Sequence, residues 1–240
     1  MLVLGIETST QRGSVALAES GRLLAESWHD EPHAHGERLL GLINHIFNSV
    51  GRSPAEVSRV AAGKGPGAFT GLRVGIALAQ GIATALGVRA VGVGSMQAMA
   101  LGLDPDLAGY RWPVVDARRG ELFIACYDPR GAEILAPRAV PRASIVETFQ
   151  GLRADVRESG SAAPDWLLGS VVQELDGIDG TSANLRIYSG VATNWPSAAA
   201  VAKLASEQSE LGPLSPDYHR DADAVLPKLP PSPLHRPRIG

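Results

Sequence analysis

A glycine-rich run at residues 63–73, Gly-Lys-Gly-Pro-Gly-Ala-Phe-Thr-Gly-Leu-Arg, has the residue types most suggestive of a binding site. Gly63, Gly65 and Gly67 leave backbone N–H groups accessible ahead of a predicted helix, and such groups can hold an anion. The run lacks the Lys-Ser or Lys-Thr pair of a P-loop, and Ala68 stands where the dinucleotide motif requires glycine. Two interpretations stay open: a weak anion-binding loop, or a tight connection from a strand to a helix.

The carboxylates best placed for catalysis are Glu7 and Asp116, because each follows a predicted strand and precedes a turn. Carboxylates at such positions are also common in turns, and no histidine or serine base lies close to either in the sequence. Cys126 lies in an apolar strand, where burial raises the pKa of a thiol, so we interpret it as a core residue rather than a nucleophile. We therefore assign no catalytic residue.

Four histidines lie close together in the sequence: His29, His33, His35 and His45. A zinc site needs several ligands that converge on one point. Pro32 separates His29 from His33 just before a predicted helix, so these two are not expected to share a helical face. No cysteine or close carboxylate pair completes a site. We expect neither a bound metal nor a cofactor.

The elements that would position these residues alternate between strands and helices, which is typical of α/β proteins. The first three predicted strands are joined by short turns and should form an antiparallel meander. The predicted strands are 2–7, 14–19, 23–28, 58–63, 88–93, 113–116, 121–127 and 166–169, and the predicted helices are 36–50, 71–86, 95–103, 141–149 and 197–212. Segments 151–161 and 177–184 are predicted loops, and 227–240 a disordered tail.

The segment Asp104-Pro105-Asp106 is the best candidate for a linker, because Pro and Asp both interrupt helices. The pattern of strands and helices restarts after it. We therefore predict an N-terminal lobe at 1–103, to which the helix near 197–212 returns, a second lobe at 104–196, and a C-terminal tail at 213–240.

Two predicted helices, 36–50 and 71–86, carry more apolar surface than one core contact requires. In the second, glycine or alanine recurs every fourth residue and forms a flat face that permits close approach of another helix. Packing within the chain would explain this surface, and so would a contact between subunits; the excess apolar surface favours the second. The predicted interface residues are Leu39, Leu42, Ile43, Ile46, Gly71, Gly75, Leu78, Ala79 and Ile82.

The overall composition narrows the classes of function. A net charge of −3 gives no general attraction for nucleic acid, so any RNA contact must be local or made through a partner. One cysteine excludes a disulfide framework within the chain, which fits a reducing compartment. The apolar start of the chain has no preceding Lys or Arg and is interpreted as a buried strand rather than a signal peptide. We expect a cytoplasmic protein.

Three motifs in order carry a family resemblance: Gly5-Ile-Glu-Thr-Ser9, then Gly-Pro-Gly-Ala-Phe-Thr-Gly-Leu-Arg ending at Arg73, then Asp116-Ala-Arg-Arg-Gly-Glu121. Together they closely resemble the bacterial TsaB (YeaZ) proteins over at least residues 1–127, and Pro-Asp-Tyr-His-Arg at 216–220 resembles the C-terminal motif of that family. The resemblance implies the actin/Hsp70-like ATPase (ASKHA) fold, in a degenerate form with two related lobes.

The resemblance also implies a role in the assembly that places N6-threonylcarbamoyladenosine on tRNA. In that assembly TsaD is the catalytic subunit, TsaB is its degenerate paralogue and binds it through the first two helices, and TsaE joins as an ATPase. Those two helices match 36–50 and 71–86 here. We therefore expect a non-catalytic partner subunit that contacts tRNA through the complex, and a homodimer when the chain is alone.

Two departures from active relatives bear on catalysis. Glu7 stands where ATPases of this fold usually have Asp, and the histidine pair that binds metal in TsaD-like proteins has no counterpart. Both argue against independent ATP hydrolysis. The alternative function is an enzyme in its own right, either an ATPase or a metallopeptidase of the glycoprotease type.

Overall fold

The computed structural model describes residues 1–31, 33–156, 163–175, 177–178, 184–188, 190–208 and 211–218. Within them the chain forms two five-stranded sheets with helices packed on their faces. The strands are β1 (Leu2–Glu7), β2 (Gly13–Glu19), β3 (Arg22–His29), β4 (Val57–Gly63), β5 (Arg89–Val93), β6 (Arg111–Arg118), β7 (Glu121–Tyr127), β8 (Glu133–Pro141), β9 (Asp165–Leu168) and β10 (Leu185–Tyr188). The helices are α1 (His35–Val50), α2 (Phe69–Leu86), α3 (Ser95–Ala100), α4 (Ile145–Val156), α5 (Val191–Asn194) and α6 (Ala198–Glu207).

The first sheet has the strand order β3-β2-β1-β4-β5. Strands β1, β2 and β3 form the predicted antiparallel meander, and β4 and β5 add to it in parallel. Because side chains alternate along a strand, Leu2, Leu4 and Ile6 join the core under α1 and α2, whereas Val3 points to α6 on the opposite face. The sheet is thus the middle layer of three.

The second sheet has the order β10-β9-β6-β7-β8. Helix α4 covers one face, where Phe149 meets Trp112 edge to face at 5.3 Å between ring centroids. Helix α3 covers the other face with Met96 and Met99. Cys126 is buried in this lobe, and burial raises the pKa of its thiol, as expected of a core residue.

Several elements differ from the sequence predictions. Strands β8 and β10 were not predicted; β8 lies at a sheet edge with mostly exposed or half-buried residues, so it lacks the alternating apolar pattern of a core-covering strand. Helix α4 continues through Val156 across part of the predicted loop 151–161. Helix α6 ends at Glu207 rather than near 212, and Arg59 donates to the carbonyl of Gln208 just beyond it. Predictions for 157–161, 179–183 and 227–240 fall outside the described residues.

Helix α2 approaches the end of β1 closely because it has glycine where it faces Thr8, the residue directly after that strand. A Cβ at Gly71 would overlap the carbonyl oxygen of Thr8, and one at Gly75 would overlap Oγ1 of the same threonine. The Thr8 hydroxyl donates a hydrogen bond to the Gly71 carbonyl oxygen at 2.8 Å. The flat face of small residues therefore packs inside the chain.

This packing predicts opposite effects for two glycines of one helix. Gly75→Ala should lower the free energy of unfolding by about 1–3 kcal/mol, because the methyl group must displace Thr8. Gly81→Ala should raise it by about 0.5–1 kcal/mol, because nothing lies within 4 Å of the added atom and alanine favours a helix. Urea unfolding of both variants tests this, and equal effects would contradict it.

Candidate functional site

A cavity of about 160 Å³ opens between the two lobes. Ser9 and Thr10 reach it from the loop after β1, and Asp116 and Arg118 reach it from the end of β6. The predicted candidate Asp116 is therefore brought to a cleft. The remaining polar lining is Gln11, Arg142, Ser170, Glu174 and Asn194.

The charges of this cleft are paired with one another. Arg118 lies 3.4 Å from the Asp116 carboxylate, whose Oδ1 also accepts a hydrogen bond from the Arg118 backbone N–H at 2.7 Å. Arg142 donates to Glu174 at 2.7 Å. Asp116 thus stabilises the turn between β6 and β7, and the two arginines carry no uncompensated charge toward a phosphate. The cavity is small and close to neutral.

Glu7 is fully buried behind this cleft. Its Oε1 accepts a hydrogen bond from the Ser9 backbone N–H at 2.6 Å, while Oε2 has no hydrogen-bond partner among the described residues. Burial raises the pKa of the Glu7 carboxyl, and the hydrogen bond from the Ser9 backbone N–H opposes that rise. A Cβ at Gly63 would overlap the carboxylate, so no open space adjoins it on that side. Glu7 is a buried structural group here.

The glycine-rich loop uses its N–H groups within the chain. Lys64 donates to the Val93 carbonyl at 2.8 Å, and Ala68 donates to the Ser9 carbonyl at 2.7 Å. The Gly65 N–H is taken by the Ser95 hydroxyl at 3.1 Å, and a Cβ at Gly67 would overlap the Ser9 backbone. This geometry favours the interpretation as a tight connection from β4 to α2 over the weak anion loop at Gly63, Gly65 and Gly67.

The histidines do not form a metal site among the described residues, where no group of three or more potential ligands converges. His33 and His45 are exposed, whereas His29 and His35 are buried against each other, with Nε2 of the first 3.2 Å from Nδ1 of the second. Sequence reasoning missed this pair because its members lie in different elements.

The predicted partner residues divide into two sets, and for most of them the prediction needs correction. The inward set is part of the chain's own core, since these positions face the sheet: Leu39, Ile43, Ile46, Gly71, Gly75 and Ala79. Only Leu42, Leu78 and Ile82 are half-buried and reach the outer side. A large residue at Gly75 or Ala79 would therefore disturb the monomer itself.

Two rows of residues on the outer side of α2 are each spaced four residues apart and lie side by side, next to the exposed polar residues Thr70, Gln80 and Thr84. The exposed row is Phe69, Arg73, Ala77, Gly81 and Ala85, and the half-buried row is Val74, Leu78, Ile82 and Leu86. Among the described residues, α2 is the one helix long and apolar enough to cross a membrane, a test that core helices of soluble proteins also pass. Only 33% of that stretch is buried, and its exposed positions combine Phe69 and small residues with the polar Thr70, Gln80 and Thr84.

An aromatic and cationic cluster stands at the start of this face. The Arg73 guanidinium lies 3.7 Å from the centroid of the Phe69 ring, and its Nε donates to the Tyr218 hydroxyl at 3.0 Å. Phe69 and Tyr218 are 49% and 45% exposed. Sequence reasoning omitted Phe69 and Arg73, although their spacing of four along an apolar helix was a visible signal.

Comparison with known proteins places this architecture in a class. The activator of 2-hydroxyisocaproyl-CoA dehydratase from Clostridium difficile, solved with bound ADPNP, superposes with a TM-score of 0.53 at 9% identity over 86% of this chain and 94% of that one. At that identity the likeness concerns the fold alone. The two lobes have the actin/Hsp70-like ATPase fold, as the family resemblance implied.

Closer relatives define the family. A model described as TsaD, tRNA N6-adenosine threonylcarbamoyltransferase, matches residues 29–150, which is just over half of the chain. TsaB from Escherichia coli is 37% identical over 130 residues, covering 53% of this chain and 55% of that protein. A Pseudomonas aeruginosa protein with similarity to peptidase YeaZ superposes with a TM-score of 0.71 at 26% identity, over 91% of this chain and 99% of that one.

The chain belongs to the family that this model describes and, within it, to the TsaB (YeaZ) proteins. The matched region spans about half to three-fifths of the length of the first curated relatives, those from Escherichia coli and Bacillus subtilis.

The burial of Glu7 predicts a pH-dependent effect of its substitution. The unfolded carboxyl titrates near its ordinary pKa of 4.5 and the folded one higher, so the stability that Glu7 contributes is present below 4.5 and lost as the pH rises through the folded pKa. Glu7→Gln retains an acceptor for the Ser9 N–H and does not titrate. The Tm of Glu7→Gln minus the Tm of the unsubstituted chain should therefore increase as the pH is raised from about 4 to about 7. A difference that stays constant with pH would contradict this.

Proposed function

We propose that this chain is a non-catalytic partner subunit in the formation of N6-threonylcarbamoyladenosine on tRNA, and that it binds the TsaD-type transferase. The observation that carries the proposal is the outer face of α2, where Phe69 and small residues are exposed beside a half-buried apolar row in the folded chain. A contiguous apolar patch of this kind is typical of a protein interaction site. The Escherichia coli relative is named as a tRNA threonylcarbamoyladenosine biosynthesis protein, which supports the pathway.

The docking surface comprises the outer face of α2 together with Leu40, Gly41 and Leu42 of α1. Both helices pack on the same face of the first sheet, so their sides remote from the sheet point the same way. Leu40 is 55% exposed, and no atom lies within 4 Å of a Cβ at Gly41 or Gly81. The surface is therefore apolar, smooth and free of internal contacts at its glycines.

These two glycines support docking for an energetic reason. Glycine inside a helix costs about 0.5–1 kcal/mol relative to alanine. At Gly71 and Gly75 the close approach to Thr8 explains the glycine, whereas Gly41 and Gly81, like Gly151 of α4, have no atom within 4 Å of an added Cβ. Because Gly41 and Gly81 lie on two helices that pack on the same face of the sheet, a helix from a second subunit has room to approach closely at both.

The absence of an independent activity is supported by the cleft. Its arginines are compensated by neighbouring carboxylates, and Glu7 is enclosed by Ser9 and Gly63. The choice of partner is supported by the family. This chain is related to the TsaD model, and related subunits can pair with each other as the subunits of an oligomer do. We extend the proposal to a cytoplasmic location, to TsaE as a further component, and to a homodimer through the same docking surface when the transferase is missing.

A matched pair of substitutions tests the docking surface. Gly81→Gln places an amide at the centre of the proposed contact and should weaken binding to the TsaD-type transferase by about 1–3 kcal/mol, roughly 5- to 150-fold, because the amide is buried without a partner. Gly151→Gln is the control, since Gly151 is an equally open glycine in α4 of the second lobe. Binding is measured by titration calorimetry.

The outcome of this comparison is decisive for the surface. Both variants should fold at least as stably as the original chain, because glutamine favours a helix over glycine. If Gly81→Gln binds the transferase as tightly as Gly151→Gln does, the docking surface is wrong. If the unsubstituted chain neither binds the transferase nor supports modification of tRNA in a reconstituted reaction, the proposed function is wrong.

The aromatic cluster should contribute strongly to binding. Phe69→Ala removes the ring beneath the Arg73 guanidinium and should cost at least about 1–2 kcal/mol of binding, since aromatic and arginine residues dominate interface energies. Ile134→Ala is the control, because Ile134 is similarly exposed on the edge strand β8 of the other lobe. Both variants are compared by surface plasmon resonance against immobilised transferase. Equal affinities would remove the cluster from the docking surface.

A further inference from the structure

A buried pair of histidines joins three elements at the start of α1. His29 is the last residue of β3 and His35 the first of α1, and their rings meet with Nε2 of His29 3.2 Å from Nδ1 of His35. Nε2 of His35 lies 3.1 Å from the Thr10 carbonyl oxygen in the loop after β1. A Cβ at Gly13 would lie 2.5 Å from one ring and 2.6 Å from the other, so glycine there makes room for the pair.

The partners determine where the protons are. The Glu31 backbone N–H donates to Nδ1 of His29 at 3.3 Å, so that nitrogen is an acceptor and the proton lies on Nε2. That Nε2–H donates to Nδ1 of His35, whose own proton must lie on Nε2 and is donated to Thr10. With both rings neutral, every ring nitrogen has a partner. A further proton on either ring would face another N–H.

The charged groups around the pair do not compensate a positive ring. Asp30 is held by Arg12, with Nε and Oδ1 2.6 Å apart, and Glu31 is held by Arg38 at 2.7 Å. These groups come from the segment after β3, from the loop after β1 and from α1. Each nearby carboxylate is thus matched by an arginine, and little net negative charge remains to stabilise an imidazolium at His29.

The hydrogen bond from His35 to Thr10 matters because α1 starts without a side-chain cap. Ala34 precedes the helix and offers no side-chain hydrogen bond, so the ring of His35 is the polar link from the first helical residue to Thr10. The same ring lies close to the start of α2, where its Cδ2 would be 3.5 Å from a Cβ at Gly71. The pair therefore lies at the start of α1 and close to the first turn of α2.

We propose that the His29–His35 pair is a proton-sensitive tether: a proton on either ring breaks the chain of hydrogen bonds, releases the start of α1 and weakens docking. This inference rests on the proposed function for its effect on the partner, and on geometry alone for its effect on the fold. Leu40, Gly41 and Leu42 lie within two turns of His35 on α1.

The direction of the effect follows from the burial of both rings. Burial lowers the pKa of His29, and burial together with the neighbouring His29 and His33 lowers that of His35. A histidine with a folded pKa below its ordinary 6.5 contributes stability that is complete above 6.5 and lost as the pH falls toward the folded pKa. The tether should therefore hold at neutral pH and release in mild acid.

The first test observes the two rings in the unsubstituted chain. Long-range ¹H–¹⁵N correlation spectra with ¹⁵N-labelled histidine should show both rings neutral at about pH 6.5, each with its proton on Nε2. Both should titrate below 6.5. A ring with its proton on Nδ1, or one that titrates at or above 6.5, would overturn the inference whether or not any partner binds.

The second test compares variants. The glutamine of His35→Gln can accept a hydrogen bond from His29 and donate one to Thr10, but it does not titrate. Between about pH 7.5 and about pH 5.5, the affinity of the unsubstituted chain for the TsaD-type transferase should fall about tenfold more than the affinity of His35→Gln. His45→Gln replaces an exposed histidine of the same helix and should retain the original dependence of Tm on pH.

The possible results separate the two proposals. Binding whose pH dependence is the same in the unsubstituted chain and in His35→Gln overturns the tether and leaves the docking surface intact. No binding at any pH overturns the proposed function. The tether is then tested by the ring titrations and by Tm. In acid, the Tm of the unsubstituted chain should fall by roughly 3–5 °C more than the Tm of His35→Gln.

Discussion

The close contact between α2 and β1 determines which surfaces this protein presents. Thr8 sits against Gly71 and Gly75, so one row of the helix is pressed onto the sheet and its other rows are turned outward. A larger residue in the inner row would lift the helix from Leu4 and Ile6 beneath it. The apolar outer face is thus a consequence of an internal fit, because a helix that is apolar nearly all round can cover only one side against its own sheet.

The cleft between the lobes is lined by charged groups that pair with one another. The loop after β1 and the turn after β6 still face each other across the cavity, but their charged groups satisfy one another. Glu7 is withdrawn behind Ser9 and its burial raises the pKa of its carboxyl. The His29–His35 pair connects the loop after β1, which lines this cleft, to the start of α1 through Thr10.

How far the site could be predicted is best seen along α2. The spacing of Gly71, Gly75 and Ala79 correctly indicated a close approach, but periodicity cannot tell whether the approaching backbone belongs to the same chain. Leu78 and Ile82, which were predicted as interface residues, lie half-buried toward the outer side, whereas Phe69 was missed because the helix starts two residues earlier than predicted. The partner of Phe69 and Arg73, Tyr218, lies about 145 residues further on, and no local pattern connects them.

The amino-acid sequence by itself determined the alternation of strands and helices, the first-sheet meander and the family motifs, because these depend on local periodicity and on residues close together in the chain. Only the tertiary structure decided which apolar rows are covered, which carboxylates are compensated, and that His29 meets His35 above Gly13. Each of these features depends on contacts between segments that are far apart in the sequence. The geometry of those contacts follows from how the sheet and helices pack, and no single stretch of residues specifies it.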